Sequence, residues 1–274
     1  MTAAGGAADP ADLRLGLDLA ELADAITTAA FRRVDLAVEA KADLTPVTAA
    51  DRAVERALRD ALGRRRPGDA VVGEEYGTTG AGRRRWIVDP IDGTKNFVRG
   101  IPVWATLLAL EVDGEVVVGV ASAPALGRRW WAGRRLGAYA GPAGWAGGAR
   151  GSAAGPVPIR VSEVRALADA QMSSASLAGW DEHGGPGAVL ALALRCWRDR
   201  AFGDFWSHVL VAEGACEIAL DPVVSLWDLA ALQVIVEEAG GRFTDLGGVA
   251  RPDGGSAVST NGLLHQEVLA MLAG

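Results

Sequence analysis

Cysteine is scarce in this chain: Cys196 and Cys216 are the only two among 274 residues. Two cysteines cannot form a disulfide framework, and both lie in apolar, helix-like segments, so we interpret them as buried small hydrophobic residues in a reducing compartment. The N-terminus lacks the basic start and apolar run of a secretory signal. No segment approaches the roughly 20 apolar residues of a membrane helix. We therefore expect a cytoplasmic protein that does not associate with membranes.

Positive charge is also in deficit. Lysine and arginine number 27 against 34 acidic residues, which gives a formal net charge of −7. Nucleic-acid binding depends on a basic surface that neutralises phosphates, so this balance argues against a nucleic-acid partner. It does not exclude a small phosphorylated substrate, because bound cations can supply positive potential locally. Half of the residues are hydrophobic, enough for one large α/β domain or two tightly packed halves.

Hydrophobic periodicity predicts helices and strands in both halves of the chain. A helix is predicted over residues 12–40, and Thr48 is the expected N-cap of a second helix over 48–62. The dipeptide Asp113-Gly114 predicts a hairpin between strands at 104–110 and 115–121. Further strands are predicted at 70–73, 83–89, 130–132, 136–140, 171–174, 201–203, 217–220 and 241–244, and further helices at 187–196, 207–214, 225–239 and 262–273. This mixture favours a layered α/β sandwich over a helical bundle or an all-β fold.

The domain organisation is predicted to be simple. Residues 1–10, composed mainly of Ala, Gly, Asp and Pro, are expected to form a disordered leader. Residues 11–274 are expected to form one domain, with an N-terminal half over about 11–155 and a C-terminal half over about 156–274. The Gly- and Ala-rich stretch 141–156 is predicted to be a loop or flap within that domain.

The segment 86–97, WIVDPIDGTKNF, carries the strongest chemical signal. An apolar strand delivers Asp89 and Asp92 three residues apart, and the chain then turns at Gly93. Hard divalent cations prefer carboxylate and carbonyl oxygens, so these two carboxylates and the carbonyl of Ile91 make a credible partial site. A phosphate could then bridge the ions and the N–H groups of Gly93 and Thr94. The alternative is that Asp92 only caps a helix and Asp89 only begins a turn.

Three further acids could join this site. Glu74 follows the strand at 70–73 and would reach the same sheet edge, although it could also belong to a solvated acidic loop. Asp228 stands at the start of an apolar helix, where a simple helix-start charge is the alternative. Asp51 lies in the first turn of the helix over 48–62 and could have the same purely structural role.

These segments together resemble the inositol monophosphatase superfamily. Its signatures G-E-E, W-x-x-D-P-[IL]-D-G-T-x-N-F and W-D-x-A-A stand here at 73–75, 86–97 and 227–231, in the family's order. The similarity extends from about Asp12 to the C-terminus. It implies an α-β-α-β-α five-layer sandwich of the sugar-phosphatase type. It also implies a homodimer that depends on Mg²⁺ and is sensitive to Li⁺.

The resemblance assigns metal ligands by position. It implies that Glu74, Asp89 and the carbonyl of Ile91 hold one Mg²⁺, and that Asp89, Asp92 and Asp228 hold a second. A third, weaker ion would lie near Glu74, so two to three ions are expected in each site. Paired ions of this kind stabilise the attacking and leaving oxygens of an in-line displacement.

The resemblance also assigns the reaction. Thr94 and Asp51 match the pair that orients and deprotonates the attacking water, and Glu74 acts with them. Gly93 and Thr94 would bind the phosphate. The expected route is direct attack by metal-activated water, without a nucleophile from the enzyme. The three histidines match no ligand position of the family, and His208 is interpreted as an ordinary core or surface residue of a helix.

The C-terminal half carries the signal for substrate choice. The stretches 203–215 and 221–228 resemble the actinobacterial histidinol-phosphate phosphatases of the superfamily. Asp204, Glu213 and Asp221 are the expected substrate-binding residues. Carboxylates there suit the cationic leaving group L-histidinol, through charge-assisted hydrogen bonds. The alternative is that Asp204 and Asp221 are only loop and turn residues.

Two other functions stay open at this point. One is an inositol-1-phosphatase or a broader sugar-phosphate phosphatase. The other is a non-catalytic partner of the transcription machinery, since a fold does not guarantee catalysis. A protein that only binds a partner would be expected to have lost its metal carboxylates, whereas this chain keeps Glu74, Asp89, Asp92 and Asp228. Histidinol-phosphate hydrolysis is therefore the main hypothesis.

Overall fold

The computed structural model describes residues 6–32, 38–40, 46–144 and 155–273. Seven α-helices occur in these ranges: α1 (Pro10–Ala30), α2 (Ala49–Arg65), α3 (Thr94–Val98), α4 (Gly187–Ala193), α5 (Asp204–Ala212), α6 (Leu226–Glu238) and α7 (His265–Leu272). The same ranges contain the strands β1 (Val38–Ala40), β2 (Pro46–Thr48), β3 (Ala70–Gly73), β4 (Gly77–Thr79), β5 (Arg84–Asp92), β6 (Ala105–Val112), β7 (Glu115–Ala123), β8 (Arg128–Gly133), β9 (Gly137–Pro142), β10 (Val157–Pro158), β11 (Gln171–Ser174), β12 (Arg198–Arg200), β13 (Ile218–Asp221), β14 (Arg242–Thr244) and β15 (Ala257–Thr260).

The strands form two large mixed sheets and one small pair. The eight-stranded sheet has the order β10-β9-β8-β7-β6-β5-β3-β4, and the five-stranded sheet has the order β12-β11-β13-β15-β14. Strand β3 runs parallel to β5, and β11 runs parallel to both β12 and β13. The predicted hairpin joins β6 to β7. Asp113 and Gly114 have φ angles of 55° and 82°, and positive φ at both central residues defines a type I′ turn.

Helices and sheets alternate in five layers. Helices α1 and α2 pack on one face of the eight-stranded sheet, where Leu15 and Leu58 meet Trp86. Helices α5 and α6 fill the space between the two sheets. Helices α4 and α7 cover the outer face of the five-stranded sheet, where Val189 and Val268 share an apolar cluster with strand residues. The predicted layered α/β fold class is confirmed.

Helix α1 is shorter at its C-terminus than predicted. Phe31 leaves helical geometry with φ −61° and ψ 131°, and Arg32 has a φ of 62°. Residues 38–40, predicted as helix, form strand β1 instead. Apolar residues continue past Ala30 in the sequence, so spacing alone could not locate the end of the helix. By contrast, the predicted N-cap Thr48 accepts from the N–H of Ala50 at 3.1 Å.

Residues 6–10 of the predicted leader belong to the described structure. Ala8 is buried, and its N–H donates to the carbonyl of Arg134 at 3.0 Å. Asp9 caps α1 by accepting from the N–H of Ala11 at 2.8 Å. Residues 1–5 of the predicted leader, and residues 145–154 of the loop predicted over 141–156, lie outside the described residues.

Elements near the substrate side of the C-terminal half are displaced from their predicted positions. The strand predicted at 201–203 is β12, whose three residues Arg-Asp-Arg are all exposed, so no hydrophobic signal marked it. Helix α5 begins at Asp204 rather than at residue 207, and α4 ends at Ala193 rather than at 196. Strand β15 has no predicted counterpart.

The two cysteines differ in exposure. Cys216 is buried, as predicted, and burial raises the pKa of its thiol to about 11. Cys196 is only partly buried, and both thiols are free. Within the described ranges, no helix has the length and apolar character required to cross a membrane.

Candidate active site

A β-bulge in β5 brings the two motif aspartates to the same face of the sheet. Asp89 pairs with Leu107 and Asp92 pairs with Ala105, so three steps on β5 match two on β6. Residues three apart on a regular strand point to opposite faces, whereas one inserted residue restores the same face. The hydroxyl of Thr106 donates to the carbonyl of Pro90 at 2.8 Å, inside the bulge. The sequence Asp-Pro-Ile-Asp thus delivers both carboxylates toward α6.

Glu74 reaches the same edge from the neighbouring parallel strand. Gly73 is the register partner of Val88, and the N–H of Glu74 donates to the carbonyl of Val88 at 3.3 Å. Glu74 follows Gly73 and Asp89 follows Val88, so the two acidic residues lie at the same level on neighbouring parallel segments. This parallel pairing explains how residues 15 positions apart in the sequence come to adjoin each other.

Glu55 of α2 supports the turn that carries Glu74. Its side chain is fully buried and accepts from the N–H groups of Glu75 at 2.7 Å and Tyr76 at 3.1 Å. Arg59 completes the arrangement with an ion pair to Glu55 at 2.7 Å. A Cβ on Gly73 would lie 2.1 Å from a Glu55 oxygen, so this close approach requires glycine.

Asp228 completes an acidic cluster from the N-terminus of α6. It is the third helical residue, and its carboxylate accepts from the N–H of the N-cap Ser225 at 2.7 Å. Ligand oxygens of Asp89, Asp92 and Asp228 all lie within 4.8 Å of one another. The helix-start role that the sequence left open is therefore real, and it holds Asp228 beside the two strand carboxylates.

The cluster raises the pKa values of its own carboxyls. Burial, and then the charges of Glu74, Asp92 and Asp228, raise the pKa of Asp89 well above its usual value. Burial and the neighbouring charges of Asp204 and Asp228 do the same to Asp92. For Asp228, burial raises the pKa to about 6, against an opposing hydrogen bond from Ser225. The common cause is negative charge confined in a buried volume.

The donor set fits a hard divalent cation. Asp89 is 1% exposed, and its Oδ1 is buried without a hydrogen-bond partner in the part of the chain that the structure describes. A buried carboxylate oxygen of this kind is costly unless it is paired or bound to metal. Clustered carboxylate oxygens are the ligands that Mg²⁺ and Ca²⁺ prefer. A cation there would compensate both the unpaired oxygen and the mutual repulsion of the acids.

Thr94 and Asp51 lie near this cluster but are not joined by a direct hydrogen bond. The Thr94 hydroxyl donates to the carbonyl of Ile91 at 2.9 Å. The Asp51 carboxylate accepts from the N–H of Thr48 at 2.8 Å and from its hydroxyl, and the N–H of Asp51 donates back to the Thr48 hydroxyl at 3.4 Å, which completes a capping box. The Oδ1 of Asp51 is buried and has no partner among the described residues. Burial raises the pKa of Asp51 to about 6, with smaller contributions from Glu75 and Glu74.

A cavity of about 650 Å³ opens in front of the acidic cluster. Glu74, Asp92, Gly93, Thr94 and Asp228 line one part of it. The rest of the lining comes from the C-terminal half and includes the residues Asp204, His208, Asp221, Val223 and Val224. The cavity therefore joins the carboxylate cluster to a second group of polar and apolar residues from the C-terminal half.

Asp204 reaches the cavity from the first residue of α5. Its φ of 49° is in the left-handed region, and its Oδ2 accepts from the side-chain amide of Asn96 at 3.0 Å. Burial, and then the charge of Asp221, raise its pKa to about 6, while Lys95 opposes this shift. Gly93 approaches closely: a Cβ there would lie 3.3 Å from the Asp204 Oδ2, and its φ is 79°.

Asp221 ends β13 and is 4% exposed. Its Oδ2 is 2.6 Å from Nε2 of His208, and Nδ1 of His208 is 2.7 Å from the hydroxyl of Ser259. His208 is fully buried within the protein interior at the cavity wall. The sequence analysis interpreted His208 as an ordinary histidine and so missed its contact with Asp221, a predicted substrate-binding residue.

Glu213, the third predicted substrate ligand, is placed elsewhere. It follows the last residue of α5 and forms an ion pair with Arg128, whose guanidinium lies 4.9 Å from the ring centre of Trp130. Glu213 lies nine positions after Asp204, which corresponds to a rotation of about 180° around a helix. Asp204 and His208 are four apart and share one face. The structure therefore does not place Glu213 among the residues that line this cavity.

Lys95 is a cavity residue that the sequence analysis did not assign. It is exposed, lines the cavity and lies close enough to Asp204 to oppose the rise in its pKa. Its position inside the motif 86–97 was the available signal. A cation next to the turn at Gly93 and Thr94 adds positive potential on the side where a phosphate would enter.

Comparison with known proteins identifies the family to which this arrangement belongs. Residues 15–273 match the protein family described as "Inositol monophosphatase family". The chain belongs to that family. It is 57% identical over 263 residues to the histidinol-phosphatase of Mycobacterium tuberculosis, covering 95% of this chain and 97% of that protein. It is 49% identical over 265 residues to the histidinol-phosphatase of Streptomyces coelicolor, covering 95% and 96%.

A solved structure agrees with the family assignment. The IMPase of Thermotoga maritima has a TM-score of 0.82 and 31% identity, covering 96% of each chain. As a member of the inositol monophosphatase family, the protein is a phosphoric monoester hydrolase. The predicted family and enzyme class are confirmed, and the acidic cluster agrees with the metal dependence of this family.

Proposed function

We propose that this protein hydrolyses L-histidinol phosphate to L-histidinol and phosphate, with Mg²⁺ as its cofactor. The observation that carries the proposal is the pair of carboxylates, Asp204 and Asp221, that the C-terminal half contributes to the cavity beside the acidic cluster. The histidinol-phosphatase names of the two relatives support the same substrate. L-Histidinol carries an ammonium group and an imidazole, so two carboxylates would bind it more tightly than a neutral polyol.

The metal end would hold two to three Mg²⁺ ions, the third and weaker one near Glu74. Glu74, Asp89 and the carbonyl of Ile91 would hold one ion, and Asp89, Asp92 and Asp228 would hold a second. When bound, the ions would lower the pKa of a water molecule and neutralise charge on the phosphate. The unpartnered buried oxygen of Asp89 supports this assignment.

The remaining roles belong to groups of the chain itself. The N–H groups of Gly93 and Thr94 would bind phosphate oxygens at the start of α3. Glu74, together with the hydroxyl of Thr94 and the carboxylate of Asp51, would position a water molecule for in-line attack and accept its proton. A pKa near 6 suits Asp51 for that task, because a base works best when its pKa lies close to the operating pH. Asp204 and Asp221 would hold the leaving alcohol.

The substrate proposal can be tested with Asp221→Asn. Losing one charge-assisted hydrogen bond costs about 1.5–3 kcal/mol, so kcat/KM for L-histidinol phosphate should fall about 10- to 150-fold. Glycerol phosphate, which offers no cation, should be affected much less. The ratio between the two substrates is decisive, because a damaged fold or metal site would lower both rates together.

Glu213→Gln is the matched control for that variant. It removes a carboxylate from the same half of the chain, but one that is paired with Arg128 outside the cavity. The substrate ratio should therefore stay at its wild-type value. Equal losses on both substrates in Asp221→Asn would contradict the role of Asp221. A wild-type enzyme that prefers inositol-1-phosphate would contradict the histidinol assignment and leave the phosphatase activity intact.

We further propose that the enzyme is a cytoplasmic homodimer. Leu194 is 88% exposed and Trp197 is 67% exposed, close together in the sequence after α4. Exposed apolar side chains that together form a contiguous patch mark contact surfaces, and these two residues are the candidates for such a patch. Light scattering should give twice the 28.3 kDa mass of one chain, and Trp197→Ser should shift the balance toward the monomer.

A further inference from the structure

We propose that His208, held by Ser259, is a positioning residue that orients Asp221 and thereby sets the preference for a cationic leaving group. The inference rests on the proposed function, since it concerns the same cavity. It adds a residue that no motif of the sequence indicated and that does not belong to the metal cluster.

Three separate elements contribute to this chain of hydrogen bonds. His208 lies in α5, Asp221 ends β13, and Ser259 lies in β15, the antiparallel neighbour of β13. Ser259 pairs with Ala219 and Asp221 pairs with Ala257, so both side chains lie on one face of the sheet. That face is turned toward α5, and His208 bridges the two strands with contacts of 2.6 Å and 2.7 Å.

The hydrogen bonds define the tautomer of His208. An ionised carboxylate can only accept, so Nε2 of His208 must carry the proton that is donated to Asp221. In the neutral imidazole, Nδ1 is then an acceptor, and the hydroxyl of Ser259 donates to it. Asp221 therefore selects this tautomer, because its carboxylate can only accept, and Ser259, whose hydroxyl can donate or accept, fixes the ring from the other side. The contact of His208 with the ring of Phe243, at 5.9 Å between ring centres, also restricts rotation of the imidazole.

This arrangement controls how Asp221 meets a ligand. His208 uses Oδ2 of Asp221, so Oδ1 is the carboxylate oxygen left for a group in the cavity. Without His208, the buried carboxylate would lose its partner and could rotate or move away from the cavity. Asp204, one helical turn before His208, lines the same cavity. Helix α5 thus contributes one carboxylate directly and orients the second through His208.

The test compares two substitutions of His208 that differ in one hydrogen bond. His208→Leu fills a similar volume and removes the donor, so the ratio of kcat/KM for L-histidinol phosphate to that for glycerol phosphate should fall about tenfold. The loss should appear mainly in KM. His208→Gln places an amide N–H near the position of Nε2 and should restore most of the ratio. Ser259→Ala should lower the ratio in the same direction by a smaller factor.

A double-mutant cycle separates positioning from general stability. If His208 acts through Asp221, then His208→Leu should change the ratio little in a protein that already carries Asp221→Asn. Additive losses in the double mutant would overturn the proposal. So would a His208→Leu protein that loses activity equally on both substrates. If His208→Leu fails to fold, Ser259→Ala and His208→Gln still test the same prediction. The proposal would be overturned if the substrate ratio were unchanged in Ser259→Ala and lowered in His208→Gln.

Nitrogen NMR provides a readout that does not depend on turnover. The chain has only three histidines, and His208 should show the Nε2-protonated tautomer in the folded wild-type protein. An Nδ1-protonated His208 would overturn the proposal even if the substrate assignment is correct. A wild-type enzyme without any preference for L-histidinol phosphate would instead overturn the proposed function, while the tautomer would still report on the hydrogen bonds of His208.

Discussion

Glu55→Gln is the substitution for which the structure makes the sharpest quantitative prediction. The glutamate is fully buried, accepts two backbone N–H groups in the turn after β3 and pairs with Arg59 at 2.7 Å. Glutamine has nearly the same shape, but it lacks the charge and replaces one accepting oxygen with an NH₂ donor. The variant therefore removes the ion pair to Arg59, which keeps hydrogen bonds to the Thr79 hydroxyl at 2.8 Å and to the Gly77 carbonyl. It also sets a donor against a backbone donor, without creating a cavity.

The magnitude follows from the burial of Glu55. Arg59 is 14% exposed and keeps two other hydrogen bonds, so the cost comes from the buried acceptor, and losing hydrogen bonds to a charged group costs about 1.5–3 kcal/mol. At about 2–4 °C for each kcal/mol in a protein of this size, Tm should fall by about 3–12 °C. The same turn carries Glu74, so the affinity for Mg²⁺ should weaken about 10- to 100-fold, as is typical when support for a metal ligand is lost.

Glu39→Gln is the matched control. Glu39 also pairs with an arginine of α2, Arg52, at 2.8 Å, but this pair is exposed to solvent. Exposed ion pairs contribute little, so Tm should move by no more than about 2 °C. Thermal unfolding and the Mg²⁺ dependence of activity should be measured for both variants. The reasoning would be refuted if Glu55→Gln matched Glu39→Gln in Tm and in Mg²⁺ affinity.

Three further predictions concern the acidic cluster and its neighbours. Asp89→Asn should lower activity by several orders of magnitude at saturating Mg²⁺. It should raise Tm in the metal-free protein, because the substitution removes a buried charge from the cluster. A variant that keeps more than a tenth of wild-type activity would contradict this prediction. Thr94→Ala should lower kcat about 10²–10⁴-fold with little change in KM, whereas a raised KM at constant kcat would assign Thr94 to binding. Without metal, the folded protein holds protons on Asp51 and Asp228 up to about pH 6, while the unfolded chain releases them near its usual carboxyl pKa of 3.8. The free energy of unfolding should therefore fall as the pH rises through 4 to 6. Tm measured in a chelator should be higher at pH 5 than at pH 8, and Mg²⁺ should remove this difference. A metal-free Tm that rises over this range would contradict the prediction.

Much of the metal end of the site could be predicted from the sequence because its signals are local. The motif 86–97 is contiguous, and Glu74 and Asp228 each stand directly after a strand or at the start of a helix. Thr48 was a predictable N-cap, and Asp113-Gly114 a predictable hairpin, since each depends on the chemistry of one or two adjacent residues. Resemblance to the family then supplied the order of layers.

The substrate end depended on contacts between distant parts of the chain. A helix was correctly predicted in this part of the chain, but its first residue was not. The position of that first residue decides which side chains of the helix face the cavity. Because α5 begins at Asp204, His208 shares the face of Asp204 and Glu213 does not. No local pattern distinguishes these outcomes, since His208 in α5 and Glu213 directly after it belong to the same apolar stretch of sequence.

The sequence by itself determined the fold class, the family, and the identity of the acids at the metal end. Only the tertiary structure decided how these residues meet. The bulge in β5 places Asp89 and Asp92 on one face, and the parallel register of β3 and β5 sets Glu74 beside Asp89. The pairing of β13 with β15 brings Ser259 to His208, 51 residues away in sequence. Bulges, registers and helix rotations arise from packing across the whole sheet, so local sequence signals cannot specify them.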